Sequence, residues 1–343
     1  MLTDWLNDVQ TVTCINNPKE KPKEETEAES KKLTFRQFTE THWETYQQNR
    51  GVKESTKYSH RGMLKNHIVP ILGSKFLVEI GPADISDFFT DMGNKKLSTK
   101  FILNNYLFLH GMFEVALELD LISNSPVRKK LHRPQHRKTK MPFWTVPQVR
   151  AVLREIPPIW QAFFYCLALT TVRIGELLAL KWKDIDWEGR TITFSKTLWR
   201  GKVQPTTKTN EDYVRHMPDS LARVLEEHLR RSIHLAPDDF VFSRSVQDGR
   251  PCDPDEVRLG VLYPALDRCS IPRTPRGSGF HAFRRAASKY IRQRAGLELA
   301  AVQLGHKQMT TTDTFYNERD LADKKRAAEL IEEAILGRLA PEA

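Results

Sequence analysis

Residues 128–140, RKKLHRPQHRKTK, carry seven Lys or Arg around a proline and not one acid, and they part the chain into an earlier and a later stretch. Like charges repel along such a run and little in it is apolar enough to fold inward, so it predicts an extended connector between two separately packed bodies. One reading is a solvated charge run. The other is a linker lying along a nucleic-acid backbone, which the charge of the whole chain favours. The 343 residues, 40% of them apolar, supply material for more than one core. A formal net charge of +10 and a pI near 9.4 suit a polyanionic partner, because Lys and Arg neutralise phosphates and release condensed counterions.

Four segments emerge. Residues 1–32 combine a short stretch in which Trp5, Leu6, Val9, Val12 and Ile15 allow an amphipathic helix with a charged run, NPKEKPKEETEAESKK, too poor in apolar side chains to repay ordering. Residues 33–130 show helical periodicity throughout. Phe101, Ile102, Asn105, Phe108, Leu109, Met112, Phe113, Ala116 and Leu117 trace one face behind Ser98 as N-cap, and Pro70, Gly73, Gly81 and Pro82 mark breaks, so about four helices are expected. Residues 131–141 are the basic linker. Residues 142–343 open with Thr145 and Gln148 spaced as a capping box. Helices are expected there at 147–155, 158–170, 173–181, 219–233, 254–268, 281–295, 297–304 and 320–337, with short strands in RTITFSK, KVQP and DYVRHMP. The fold class is therefore mainly α with a small β-sheet.

Cys14, Cys166, Cys252 and Cys269 lie far apart with no C-x-x-C pair, which suggests neither a disulfide framework nor a zinc ribbon. No stretch approaches the roughly 18 apolar residues that span a bilayer, and no leader pattern opens the chain. A cytoplasmic protein with no membrane partner is expected.

Several residues could do chemistry. Arg173, in TTVRIGELLALKW, sits among Val172, Ile174, Leu177 and Leu178, where a guanidinium is costly unless satisfied, and Glu176 one turn on can satisfy it. The pair either anchors its helix or orients Arg173 to grip a phosphate bidentately. His281 and Arg284, in HAFRR, share a helix face at i, i+3, with Arg285 directed to a neighbouring phosphate or to solvent. His306 comes after Gly305 in a helix-ending turn, where a capping role is the plain alternative. Tyr316 would pass for a core aromatic but for its polar setting, Thr310 to Asp313 before it and Asn317 to Asp320 after.

The motifs TTVRIGELLALKW, HAFRR, LGH and TTTDTFY, in this order and with Lys208-Thr209 upstream, resemble the tyrosine recombinases, or phage integrase family, over roughly residues 33–335. The resemblance implies a helical core-binding (SAM-like) domain at 33–130 and a mixed α/β catalytic domain, closing together around DNA as a clamp. It implies Tyr316 as nucleophile, Arg173 and Arg284 on the nonbridging oxygens and Lys208 as general acid at the tip of a β-hairpin. His281 would aid proton transfer, and His306 would bond the scissile phosphate. Lys196 and Lys202 compete with Lys208 for its role. The chain departs from the pattern at Thr171, where glycine is common, at Gly175, where serine is, and at Arg285, where histidine is.

A phenol is a weak nucleophile at neutral pH, and phosphate charge must be neutralised as it attacks, so the bottom-up chemistry agrees with these roles. The expected reaction is attack of Tyr316 on a phosphodiester of double-stranded DNA, giving a 3′-phosphotyrosyl bond and a 5′-hydroxyl. Bond energy is kept in the protein link, so no cofactor, ATP or divalent metal is expected, and no G-x-x-x-x-G-K-[ST] loop is present. The expected role is the integrase of a prophage or other mobile element, and the resemblance implies a homo-tetramer on attachment or recombination sites, with a possible directionality factor. Chromosome-dimer resolution is the alternative, then a type IB topoisomerase-like enzyme and a non-catalytic DNA-binding regulator. The last helix, with Ala328, Leu330, Ile331, Ala334 and Ile335 in a stripe, would dock on a neighbouring copy or pack on its own domain.

Overall fold

The computed structural model describes residues 33–136, 142–205, 213–244, 249–274, 277–304 and 321–337, without the side chains of 296–304 and 321–323. The described residues fall into two compact units that divide within the basic run.

The first unit is helical. Thr34 opens it with a capping box, its Oγ1 accepting from the Gln37 N–H and its own N–H donating to the Gln37 carboxamide oxygen. One helical run passes through Phe35–Phe38, a π turn at Thr39–Trp43, and Glu44–Asn49. A second run goes from Glu54–Met63 through a π turn at Leu64–Ile68 to Val69–Leu72. The sequence predicts a break at Pro70. The proline lies instead at the start of the last segment, where the widened π turn just before it takes up the missing N–H and the bulk of the ring, and the run ends at Gly73. Helix α1 (Pro82–Asn94) and helix α2 (Thr99–Glu118, capped by the Ser98 hydroxyl) complete the unit. Phe35, Phe38, Phe88, Leu109, Met112 and Phe113 meet in its core, each worth about 1.5–3 kcal/mol of burial.

The basic run does not begin as an extended connector. Lys129–His132 form a short helical turn whose His132 is buried against α1. Its Nδ1 accepts from the Arg128 N–H at 2.9 Å, and its Nε2 lies 3.0 Å from Pro82 O. One imidazole among the cations is enough to bind the first turn of the run to the helical unit.

The second unit is built around helix α4 (Gln161–Thr170), buried on nearly every side, with helix α3 (Val146–Glu155) before it. The expected capping box at Thr145 and Gln148 is formed. Helix α5 (Ile174–Leu178) is shorter than the expected 173–181. Strands β1 (Ile185–Asp186), β2 (Thr191–Phe194) and β5 (Tyr213–His216) make an antiparallel sheet in the order β1-β2-β5. Between β2 and β5 the chain makes a separate hairpin, β3 (Thr197–Trp199) with β4 (Lys202–Gln204). Its two-residue turn is Arg200-Gly201, at φ 50° and 73°, the pairing of left-handed residues that matches the twist of a tight hairpin.

Helix α6 (Asp219–Arg231) packs on α4, and a helical run spans Pro254–Val257, a π turn at Arg258–Leu262 and Tyr263–Arg268. The helices expected at 281–295 and 297–304 are one, α7 (His281–Leu304), because a single glycine at 296 does not end a helix that neighbours hold on both sides. Helix α8 (Leu321–Leu336) lies against α3, α4, α7 and β5 of its own unit. Ala328, Ile331, Ala334 and Ile335 are buried there. Arg150 Nε donates to Ala334 O at 2.6 Å, and Glu332 accepts from the Ser220 N–H at 3.1 Å. Of the two placements expected for the stripe, the structure has it packed on its own unit. No described helix is long and apolar enough to cross a membrane.

Candidate active site

The site is built on the elbow between α4 and α5. Thr171 ends α4 in the left-handed conformation, at φ 55° and ψ 22°, and turns its carbonyl away from the helix. Arg284, in the first turns of α7, donates to that carbonyl from Nη1. Two residues on, Arg173 is the N-cap of α5 with extended backbone. Its N–H donates to Glu176 Oε2 at 3.0 Å and its Nη1 to Glu176 Oε1 at 2.9 Å. One elbow thus holds both arginines, the first through a side-chain carboxylate and the second through a main-chain oxygen.

Gly175 explains how close the hairpin comes. A Cβ there would lie 2.6 Å from Thr197 Oγ1 and 2.7 Å from Leu198 O, so no side chain fits between α5 and β3. The departure at 175 is a packing requirement of this chain.

Strand β5 contributes two residues that the motifs do not mark. Tyr213 donates its hydroxyl to Glu176 Oε2. Arg215, two positions along and so on the same face of the strand, lays its guanidinium over the Tyr213 ring at 4.3 Å and donates from Nη1 to Val214 O. It is 2% exposed, and its Nε and Nη2 have no hydrogen-bond partner among the described residues. Glu176 is 1% and Arg284 7% exposed. Among the described residues, three guanidinium groups therefore gather round one carboxylate, which is buried together with Arg215 and Arg284. Burial lowers Arg284 to about 10, with Arg173 the next cause, and burial likewise lowers Arg215 to about 10. Both keep their protons at neutral pH. Burial, then the Glu176 charge, raises the Tyr213 phenol, which stays a donor. Such a cluster is costly without an anion and preorganised to receive one.

Of the six residues expected to act, Arg173 and Arg284 meet at the elbow. His281 is exposed in the first turn of α7 and lines a surface hollow with Ile174, Arg258, Arg273, Thr274 and Arg285. Lys208, His306 and Tyr316 lie outside the described residues. The described hairpin has Arg200-Gly201 at its tip, so Lys208 belongs to the segment after β4, while Lys202 is exposed in β4 and Lys196 is half-buried before β3. Arg285, expected to face a neighbouring phosphate or solvent, is half-buried and donates from Nη2 to Gly277 O at 2.8 Å while lining the same hollow as His281. Tyr213 and Arg215 could have been noticed from the alternation in DYVRHMP, which puts both on one strand face.

Comparison with known proteins decides the family. The model of the phage integrase family matches residues 145–322, and that of the phage integrase N-terminal SAM-like domain matches residues 34–93. The chain belongs to the phage integrase family. Among curated integrases, it is 28% identical over 211 residues to the putative prophage phiRv2 integrase of Mycobacterium tuberculosis strain H37Rv, covering 60% of this chain and 55% of that protein. It is 29% identical over 127 residues to the ICEBs1 integrase of Bacillus subtilis strain 168, covering 36% of this chain and 34% of that one. The chain thus spans about half the length of the mycobacterial relative.

The integrase fold extends over most of the molecule. The Tn1549 transposon integrase, solved in complex with a circular intermediate DNA, superposes with a TM-score of 0.66 at 20% identity, covering 87% of this chain and 99% of that one. The lambda integrase tetramer bound to a Holliday junction gives 0.62 at 17% identity, covering 89% and 86%. The mainly helical fold with small sheets is that of the tyrosine-recombinase integrases.

Proposed function

We propose that this chain is a site-specific DNA recombinase, the integrase of a prophage or other mobile element. The observation that carries the reading is the cluster at the elbow, where among the described residues three guanidinium groups gather round one carboxylate and both motif arginines are held in place. A scissile phosphodiester is an anion of the right kind for it. As a pentacoordinate phosphorus forms, charge grows on the nonbridging oxygens, and fixed guanidinium groups stabilise that state more than the ground state.

In this mechanism the Tyr316 oxygen bonds to phosphorus as the bond to O5′ breaks. The phenol's proton leaves with assistance from His281, and the O5′ takes a proton from Lys208. His306 bonds the phosphate. The strand is left as a 3′-phosphotyrosine and a 5′-hydroxyl, and the reverse attack by a partner's 5′-hydroxyl completes exchange. The integrase assembles as a homo-tetramer on two DNA sites, with a directionality factor able to bias the outcome. The relatives named putative prophage phiRv2 integrase and ICEBs1 integrase support this role.

Purified protein would be incubated with nicked duplexes tiled across the DNA flanking its gene, and covalent complexes recovered under denaturing conditions. An adduct mapped to Tyr316, formed in EDTA and absent from Tyr316→Phe at unchanged DNA affinity, is the expected result. An adduct elsewhere, or none on any duplex, overturns it.

A further inference from the structure

We propose that Tyr213 is a positioning residue for strand cleavage, acting through Glu176 to hold Arg173 in place; the proposal rests on the recombinase reading. Glu176 and Arg173 lie on the same short helix, three residues apart, and hold each other through two hydrogen bonds. A pair of this kind can rotate as one body when a phosphate draws the arginine toward itself. The hydroxyl of Tyr213 is the one described donor to this carboxylate from outside the elbow. Its strand is fixed by pairing with β2, Phe194 opposite Tyr213 and Ile192 opposite Arg215.

Arg215 gives the phenol its own restraint. The guanidinium covers one side of the ring at 4.3 Å, and Phe194 packs on it with centroids 5.5 Å apart. Arg215 is too deeply buried to touch DNA, yet it is charged and adds to the field at the elbow. The chain is thus Arg215 on Tyr213, Tyr213 on Glu176, Glu176 on Arg173. A side chain of the sheet thereby sets the angle at which Arg173 is held. A tyrosine that merely filled space would need the ring and not the hydroxyl.

The test uses the full chain and the nicked duplex that wild type captures. Tyr213→Phe is expected to bind that duplex with unchanged affinity and to cleave it about tenfold more slowly, one hydrogen bond expressed as rate. Combined with Glu176→Gln, measured below the melting temperature of both, it is expected to add little further loss, because the phenol acts through the carboxylate. Wild-type cleavage by Tyr213→Phe, or an undiminished loss on the Glu176→Gln background, overturns the proposal. Should Tyr213→Phe fail to fold, trifluorotyrosine at 213 keeps the ring and titrates lower. Its cleavage rate must then fall toward alkaline pH where wild type holds steady, and matching profiles overturn the role. The two readings fail apart: an adduct at Tyr316 with an undiminished Tyr213→Phe sinks this one alone, whereas no adduct at Tyr316 sinks both.

Discussion

Glu176→Gln keeps the shape of the buried side chain and removes its charge. The carboxylate accepts three hydrogen bonds, from the Arg173 N–H, Arg173 Nη1 and the Tyr213 hydroxyl. A carboxamide has one acceptor oxygen. Whichever way it is turned, its NH2 faces an Arg173 donor, so at least one bond is lost and the others lose their charge assistance. Arg173, Arg215 and Arg284 then lose the carboxylate they face, in a site where Glu176 is 1% exposed. Removing one partner from a buried ionic cluster costs about 3–5 kcal/mol. For a unit of roughly 200 residues each kcal/mol moves the melting temperature by about 2–4 °C, so a fall of about 10 °C is expected. Tryptophan fluorescence tracks it well, since five of the seven tryptophans lie in the second unit. Added sulfate should recover more stability in the variant than in wild type, because an anion bound at the elbow replaces the missing charge. Melting within about 2 °C of wild type, or equal recovery in both, would refute the reasoning; about 2 °C is less than one kcal/mol at this size.

Three further outcomes are expected. Gly175→Ala forces a Cβ against Thr197 Oγ1 and Leu198 O, and chemical denaturation should show a loss of about 1–3 kcal/mol in the second unit. Arg284→Lys gives up the planar fork and should slow cleavage about 100- to 1,000-fold in single-turnover assays while DNA affinity changes little. Burial holds His60 and His132 in the first unit and His216 and His228 in the second below the ordinary 6.5. Above 6.5 they are neutral whether folded or unfolded, and below it the unfolded chain takes up protons that the folded one resists. Both units should therefore lose stability as pH falls from 6.5, and a melting temperature unchanged between pH 7 and 5 would contradict this.

Much of the architecture was legible because it is periodic. The face of α2 from Phe108 to Ala116, the caps at Ser98 and Thr145, and the strands in RTITFSK and DYVRHMP all come from local spacing. Arg173 and Glu176 could also be read, because a cation set among aliphatic residues demands a partner, and Arg284 from its place one turn after His281 in HAFRR. The rest depends on contacts between distant segments. Nothing local says that Arg285 will find Gly277 O while Arg284 finds Thr171 O, since adjacent helix positions differ only in direction. The alternation in DYVRHMP puts Tyr213 and Arg215 on one strand face, but their importance comes from Glu176, 37 residues earlier for the tyrosine. The stripe on α8 declared that it would be covered, and could not declare by which copy.

The two arginines at the elbow differ in how they can be lost. Arg173 depends on the side chain of Glu176, so a single base change in that codon can release it. Arg284 is anchored to the carbonyl of Thr171, and every residue has a carbonyl. No substitution at 171 removes the acceptor itself; only a change that shifts the end of α4 or the start of α7 can. Random mutagenesis should therefore find inactivating changes near Arg173 in its immediate partners. Near Arg284 it should find them scattered through the packing of α4, where loss of activity and loss of fold become the same event.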